Sequence, residues 1–171
     1  MKVFKCRICQ EGYLGDAPPT HCPFCGAHQH YIVEAAGFYI PEYKLTDISR
    51  HNLEQSLEFE IHNAEFYFCA ADRADNVHDA TMFKRLAKIE SEHASIITRE
   101  LQIPSHDIKQ DINECYEENI NNLAESYNLE SHAIHYYSQY VRMATEERIR
   151  EIFSAIIEIE YDHLGLTDGR F

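Results

Sequence analysis

Two short stretches of the chain, KIESEHAS at residues 88–95 and EIEYDHLG at residues 158–165, each set a glutamate three residues before a histidine. Both lie within apolar stripes of helical period. Residues three apart share a helix face, so Glu90 points with His93 and Glu160 with His163. A carboxylate and an imidazole in a core are costly unless something satisfies them. The stripe of the helix before each pair carries a further glutamate, Glu60 and Glu130. Four inward carboxylates and two imidazoles converging in a bundle are the ligand set for two metal ions. In that set Glu90 and Glu160 bridge both metals, Glu60 and Glu130 are terminal, and His93 and His163 each cap one ion. Hard carboxylates with borderline imidazoles suit iron or manganese better than zinc. Tyr67 and Tyr137 stand two helical turns after Glu60 and Glu130 on the same face, which puts their hydroxyls within reach of the ligating carboxylates. Ordinary core packing is the alternative reading of the two tyrosines.

A second constellation opens the chain. Cys6 and Cys9 form one C-x-x-C pair, Cys22 and Cys25 another. Each pair bends into a knuckle with two sulfurs facing one ion, and two knuckles complete a tetrahedron that takes either iron or zinc. Such pairs, in a reducing compartment, point to metal rather than disulfides. Cys69 and Cys115 stand alone in helical sequence and read as small buried residues.

The elements that must position these groups follow from periodicity. Residues 1–35 hold four of the six cysteines and form a segment too small to build a core without a staple. Residues 36–46 read as a linker, extended before Pro41. From Asp47 onward four helices are expected, over about 47–75, 78–101, 111–144 and 146–165, the second stopped by Pro104 and the last ending near Gly165. This is an antiparallel four-helix bundle with one long connection. The halves repeat: a shift of 70 residues lays Glu60 on Glu130, His62 on His132, Tyr67 on Tyr137, Glu90 on Glu160 and His93 on His163, with eleven identities between residues 52 and 93. Composition alone would give about two or three, so the bundle is a duplicated helix pair. His62 and His132 lie off the apolar face and read as surface or interface residues. Glu65, Glu92, Glu125 and Asp162 read as solvated or as neighbours of the ligands.

The formal net charge of −14 argues against nucleic acid and anionic membranes as partners, although metal held by the carboxylates would reduce it. No apolar run reaches the roughly eighteen residues that a membrane span needs. The start, MKVFKCRICQ, lacks the apolar stretch of a signal peptide, so a cytoplasmic protein is expected.

The stretch GDAPPTHCPFCGAHQHYIVE resembles the second half of the rubredoxin-like domain of rubrerythrins, and the repeated Glu then Glu-x-x-His pattern resembles their di-iron bundle. The order, cysteine module first, is similar to the reverse rubrerythrins. The resemblance implies a mainly α protein, a ferritin-like bundle behind a small rubredoxin-like module, with iron in both sites. Zinc or manganese are possible substitutes. It implies a non-haem peroxidase that reduces hydrogen peroxide to water in oxidative-stress defence. Its electrons come from NAD(P)H through an external rubredoxin or reductase and the Fe(Cys)4 site of Cys6, Cys9, Cys22 and Cys25. Tyr67 and Tyr137 are then the hydroxyls that orient peroxide. It also implies a homodimer, commonly domain-swapped.

Two positions depart from the pattern. Gln10 follows the first cysteine pair where rubredoxins usually have glycine. Ala133 occupies the place of an additional glutamate on the third helix, so a redox-linked exchange of one iron's ligand lacks its carboxylate and a more symmetric centre is expected. That symmetry favours a ferroxidase or iron-handling protein as the first rival; the attached cysteine module argues against it. A zinc ribbon that docks partners, with a bundle that only binds metal, is the second.

Overall fold

The computed structural model describes residues 1–105 and 114–171. Three short strands, β1 (Lys2–Cys6), β2 (Gly12–Gly15) and β3 (Ile32–Glu34), form an antiparallel sheet in the order β2-β1-β3. Four helices follow, α1 (Asp47–Arg73), α2 (Val77–Leu101), α3 (Asn119–Met143) and α4 (Glu147–Thr167). The molecule is mainly helical, a four-helix bundle behind a small sheet and its cysteine knuckles.

The helix ends have local causes. Thr46 caps α1 by accepting the Ser49 N–H at 3.3 Å, and Asn76 caps α2 by accepting the Asp79 N–H at 2.9 Å. Gln102 closes α2 in the left-handed conformation (φ 57°), two residues before Pro104. The stop expected near Gly165 falls later. Gly165 lies inside α4, and Gly169, at φ +69°, supplies the left-handed residue beyond its end.

The third helix is shorter than expected. Residues 111–113 lie outside those described, and residues 114–118 are not helical. There the Asn122 side chain accepts the Tyr116 N–H at 2.8 Å and donates to the Tyr116 carbonyl at 3.0 Å, offering the backbone partners that a helix would otherwise supply. Cys115 sits in this stretch and forms a disulfide with Cys69 of α1, with a Cα–Cα distance of 5.8 Å. These two cysteines are therefore a covalent pair, not isolated packing residues. Helical periodicity reports nothing about a partner 46 residues away.

The cysteine module packs on its own bundle. One apolar cluster runs from Phe4, Ile8 and Cys25 of the module to Ile152, Phe153 and Ile156 of α4. A second gathers Phe66, Tyr67, Phe83, Leu86 and Leu123 toward the other end of the bundle. Arg148, almost fully buried, rivets the junction. Its guanidinium bonds Glu100 of α2 at 2.9 and 3.1 Å and donates to the carbonyls of Arg7 and Ile8, the latter at 3.0 Å. Among the described residues no helix is long and apolar enough to cross a membrane.

Candidate metal centre

The repeated glutamates and histidines meet between the two apolar clusters. Along α1, Glu60 lies between Leu57 of the first cluster and Phe66 of the second; along α2, Glu90 lies between Ala87 of the second and Ala94 of the first. Glu60, Glu90, His93 and Glu130 are fully buried, and Glu160 and His163 nearly so.

Two overlapping sets of ligand atoms result. Glu60, Glu90, His93 and Glu160 form one; Glu90, Glu130, Glu160 and His163 form the other. His93 Nδ1 lies 2.9 Å from Glu90, 3.4 Å from Glu160 and 3.5 Å from Glu60. His163 Nδ1 lies 2.9 Å from Glu160, 3.1 Å from Glu90 and 3.8 Å from Glu130. Glu90 and Glu160 are common to both sets; each histidine adds one glutamate of its own, from the α1 or α3 helix of its own repeat. The sets are alike in composition, and Ala133, buried beside them, adds no carboxylate.

The charges explain what such a cluster is for. Glu60 Oε2, Glu90 Oε1, Glu130 Oε2 and Glu160 Oε1 are all buried and make no well-directed hydrogen bond, although imidazole nitrogens lie 3.1–3.5 Å from three of them. Buried acceptors left in this way call for an explanation, and an ion is one. Without metal, protons must balance the site. Burial pushes the Glu60 carboxyl up to about 8, against the pull of His93, and raises Glu130 well above its ordinary value. Burial also acts on Glu90, but the imidazoles of His93 and His163 outweigh it and hold this carboxyl below the usual range. Burial disfavours imidazolium, yet the surrounding carboxylates outweigh it and raise His93 and His163 well above their ordinary value. Two divalent cations would replace these protons and match the four carboxylate charges. The donor set, carboxylate with imidazole, is consistent with iron.

Both tyrosines reach the cluster, and they do so crosswise. The Tyr67 hydroxyl donates to Glu130 and sits 2.9 Å from Ser126 Oγ. The Tyr137 hydroxyl donates to Glu60. Each helix therefore carries the tyrosine that holds the other repeat's glutamate. Ser56 and Ser126 escaped the sequence reading, although they are identical under the 70-residue shift. His62 and His132 are exposed, off the cluster.

The four cysteines of the module are buried and converge, with Cys6 Sγ 3.8 Å from Cys25 Sγ and Cys9 Sγ 3.6 Å from Cys22 Sγ. The knuckle turns close through Gln10 N–H to Cys6 O and Gly26 N–H to Cys22 O, both 3.0 Å. Gln10 (φ 65°) and Gly26 (φ 81°) are both left-handed, a conformation that glycine adopts without cost and glutamine does not. Gly26 is further constrained, because a Cβ there would lie 3.0 Å from Ile159 of α4.

The two sites touch. His93 Nε2 lies 3.0 Å from the Cys25 carbonyl. A carbonyl only accepts, so Nε2 carries the proton and Nδ1 is left to face the carboxylates. One peptide and one imidazole therefore link the four-sulfur site to the carboxylate centre within one chain.

No family model matches the sequence. Reverse rubrerythrin-1 of Clostridium acetobutylicum is 32% identical over 107 residues, which take in 56% of this chain and 59% of that protein. The chain thus spans little more than half the length of the relative it matches. A hypothetical protein from Pyrococcus furiosus superposes with a TM-score of 0.61 at 17% identity, over 71% of this chain and 87% of its own, a likeness of fold. The match in sequence, and a four-cysteine module placed ahead of a four-helix bundle with a buried carboxylate–histidine cluster, fit the reverse rubrerythrin architecture.

Proposed function

We propose that the protein is a non-haem di-iron peroxidase that reduces hydrogen peroxide to water, with electrons supplied through an iron held by Cys6, Cys9, Cys22 and Cys25. The observation that carries this reading is the pairing of two ligand sets that share Glu90 and Glu160 with a four-thiol site one hydrogen bond away, from His93 to Cys25. A site that only stores or oxidises metal needs no such reductive inlet. Glu60, Glu90, His93, Glu130, Glu160 and His163 would hold the iron pair. When bound, that pair supplies Lewis acidity and the two electrons that cleavage of the O–O bond requires.

The chain's own groups set the conditions. Burial of the cluster excludes bulk water. Burial, and then the neighbouring carboxylates, raise the Tyr67 and Tyr137 hydroxyls well above their ordinary values, so both keep their protons and act as donors. They hold Glu130 and Glu60 in place, and in this reading they also orient peroxide. Reduction to two waters consumes two protons along with two electrons. An external rubredoxin-type or NAD(P)H reductase and a homodimer belong to the same proposal. The link from Cys25 to His93 lies within one chain, and in this reading it offers a relay path inside each subunit. Residues 1–35, 36–46 and 47–171 are proposed as module, linker and bundle.

With NADH and a rubredoxin reductase, peroxide should be consumed faster than dioxygen. Cys9→Ser should stop multiple turnover but leave a single turnover of the pre-reduced protein. Undiminished steady-state turnover in that variant would sink the relay. The like composition of the two ligand sets, with Ala133 beside them, favours a second reading, a ferroxidase. Rapid oxidation of added Fe(II) by a protein that ignores NADH-derived electrons would put it in place of the first.

A further inference from the structure

A third group of metal-ligand residues lies on the outer face of the junction between the cysteine module and α4. His21 immediately precedes the second knuckle, and His28 and His30 follow it. An isolated antiparallel bridge pairs the backbones of His21 and His28, and their rings meet edge to face, 4.8 Å between centroids at 83°. Opposite them α4 presents Glu158 and Asp162, four residues apart and so on one helix face. Asp162 Oδ2 lies 2.7 Å from His28 Nε2 and 3.3 Å from His21 Nε2. Glu158 Oε2 lies 3.3 Å from His28 Nδ1 and 3.4 Å from His30 Nε2. Two triads thus share the His28 ring, each with its ligand atoms within 4.8 Å of one another.

We infer that His21, His28 and Asp162 form a binding site for a divalent first-row transition cation, which stages metal for the buried centre. Two imidazoles and one carboxylate are borderline donors that suit iron, cobalt, nickel or zinc and leave positions for water. The bridge between His21 and His28 fixes two of the three ligands before any ion arrives, which lowers the ordering cost of binding. The three side chains are one-third to one-half exposed, so the ion exchanges with solvent instead of being locked in. A cavity of about 400 Å³ is lined by His21, Asp162, Gly26, Arg85 and Ile159 and also by His163 of the buried cluster. Of the triad, His21 and Asp162 line this cavity; neither His28 nor the His30–Glu158 pair does. The staging role rests on the buried cluster holding metal, while the outer site itself does not.

The test separates the two statements. Protein with its buried sites filled with iron is titrated anaerobically with Co(II), read by visible absorption and by metal analysis. One additional cobalt per chain is expected, removed by a chelator within minutes while the iron stays. His28→Ala and Asp162→Asn should each weaken it more than 10-fold, and His30→Ala should leave it unchanged. No additional cobalt, or equal binding in wild type and His28→Ala, would overturn the site and leave these five groups as hydrogen-bonded docking contacts. Unaltered far-ultraviolet circular dichroism and unaltered iron at the cysteine site show that each variant is folded. In metal-free protein, His28→Ala should then slow Fe(II) entry into the buried sites at least several-fold without changing the amount they finally hold after a brief chelator wash. Uptake at the wild-type rate would refute staging even where cobalt binds.

Discussion

The crosswise tyrosines make a prediction that discriminates between the two halves of the centre. Tyr67→Phe removes the hydroxyl donating to Glu130, and Tyr137→Phe removes the one donating to Glu60. Carboxylates and hydroxyls are all essentially fully buried, so water cannot take the lost place. A hydrogen bond to a charged group contributes about 1.5–3 kcal/mol. Loss of a group that orients a metal ligand typically weakens metal binding about 10–100-fold, or roughly 1.4–2.7 kcal/mol, and the two figures agree. The effect must appear at the metal held by the other repeat's glutamate. In a His163→Ala background, the set of Glu60, Glu90, His93 and Glu160 alone keeps its imidazole. There Tyr137→Phe should weaken binding of the remaining ion about 10–100-fold, whereas Tyr67→Phe should change it by less than a factor of about three, the size of an indirect effect. Anaerobic Fe(II) or Co(II) titration by calorimetry reads both. Equal losses from the two tyrosines, or a loss from Tyr67→Phe alone, would refute the pairing and the reasoning built on it.

Loading the buried centre should release protons at neutral pH, because His93, His163, Glu130 and Glu60, the last near 8, hold them until metal arrives. Acid then competes with metal, so apparent affinity should rise as pH rises through about 8; calorimetry in buffers of different ionisation enthalpy counts the protons, and none released at pH 7 would contradict the charge balance. Reducing the disulfide, or replacing Cys115 by serine, frees a loop spanning 46 residues. By the loop-entropy relation that lowers stability by about 4 kcal/mol, so denaturation midpoints with and without reductant should differ in the wild type and coincide in Cys115→Ser. Gln10→Gly relieves a left-handed non-glycine residue and should stabilise the module by about 0.5–1 kcal/mol, seen as a later loss of the cysteine-site metal in denaturant; a destabilised module would mean that the Gln10 side chain contributes more than its backbone costs.

Much of the centre was legible because its information is local or repeated. Glu90 and His93 share a face by helical geometry alone, and the 70-residue repeat turned one weak motif into two consistent ones. The C-x-x-C pairs carried their own geometry in the same way. The helix ends at Arg73 and Leu101 fell near the expected positions, since caps and prolines act within a turn or two. What the sequence left open depends on contacts between distant segments. Local spacing predicted hydroxyls near carboxylates but not which carboxylate: Tyr67 reaches Glu130 and Tyr137 reaches Glu60, a choice made by how α1 lies against α3. The late start of α3 follows from Asn122 competing for the Tyr116 backbone, and the Cys69–Cys115 bond follows from folding one end of the α2–α3 connection onto α1. The bond from His93 to Cys25 crosses 68 residues and exists only because Arg148, Ile159 and Gly26 seat the module on the bundle. Helical spacing and the C-x-x-C pairs marked the candidate ligands of each site; packing between elements decided that the two sites touch.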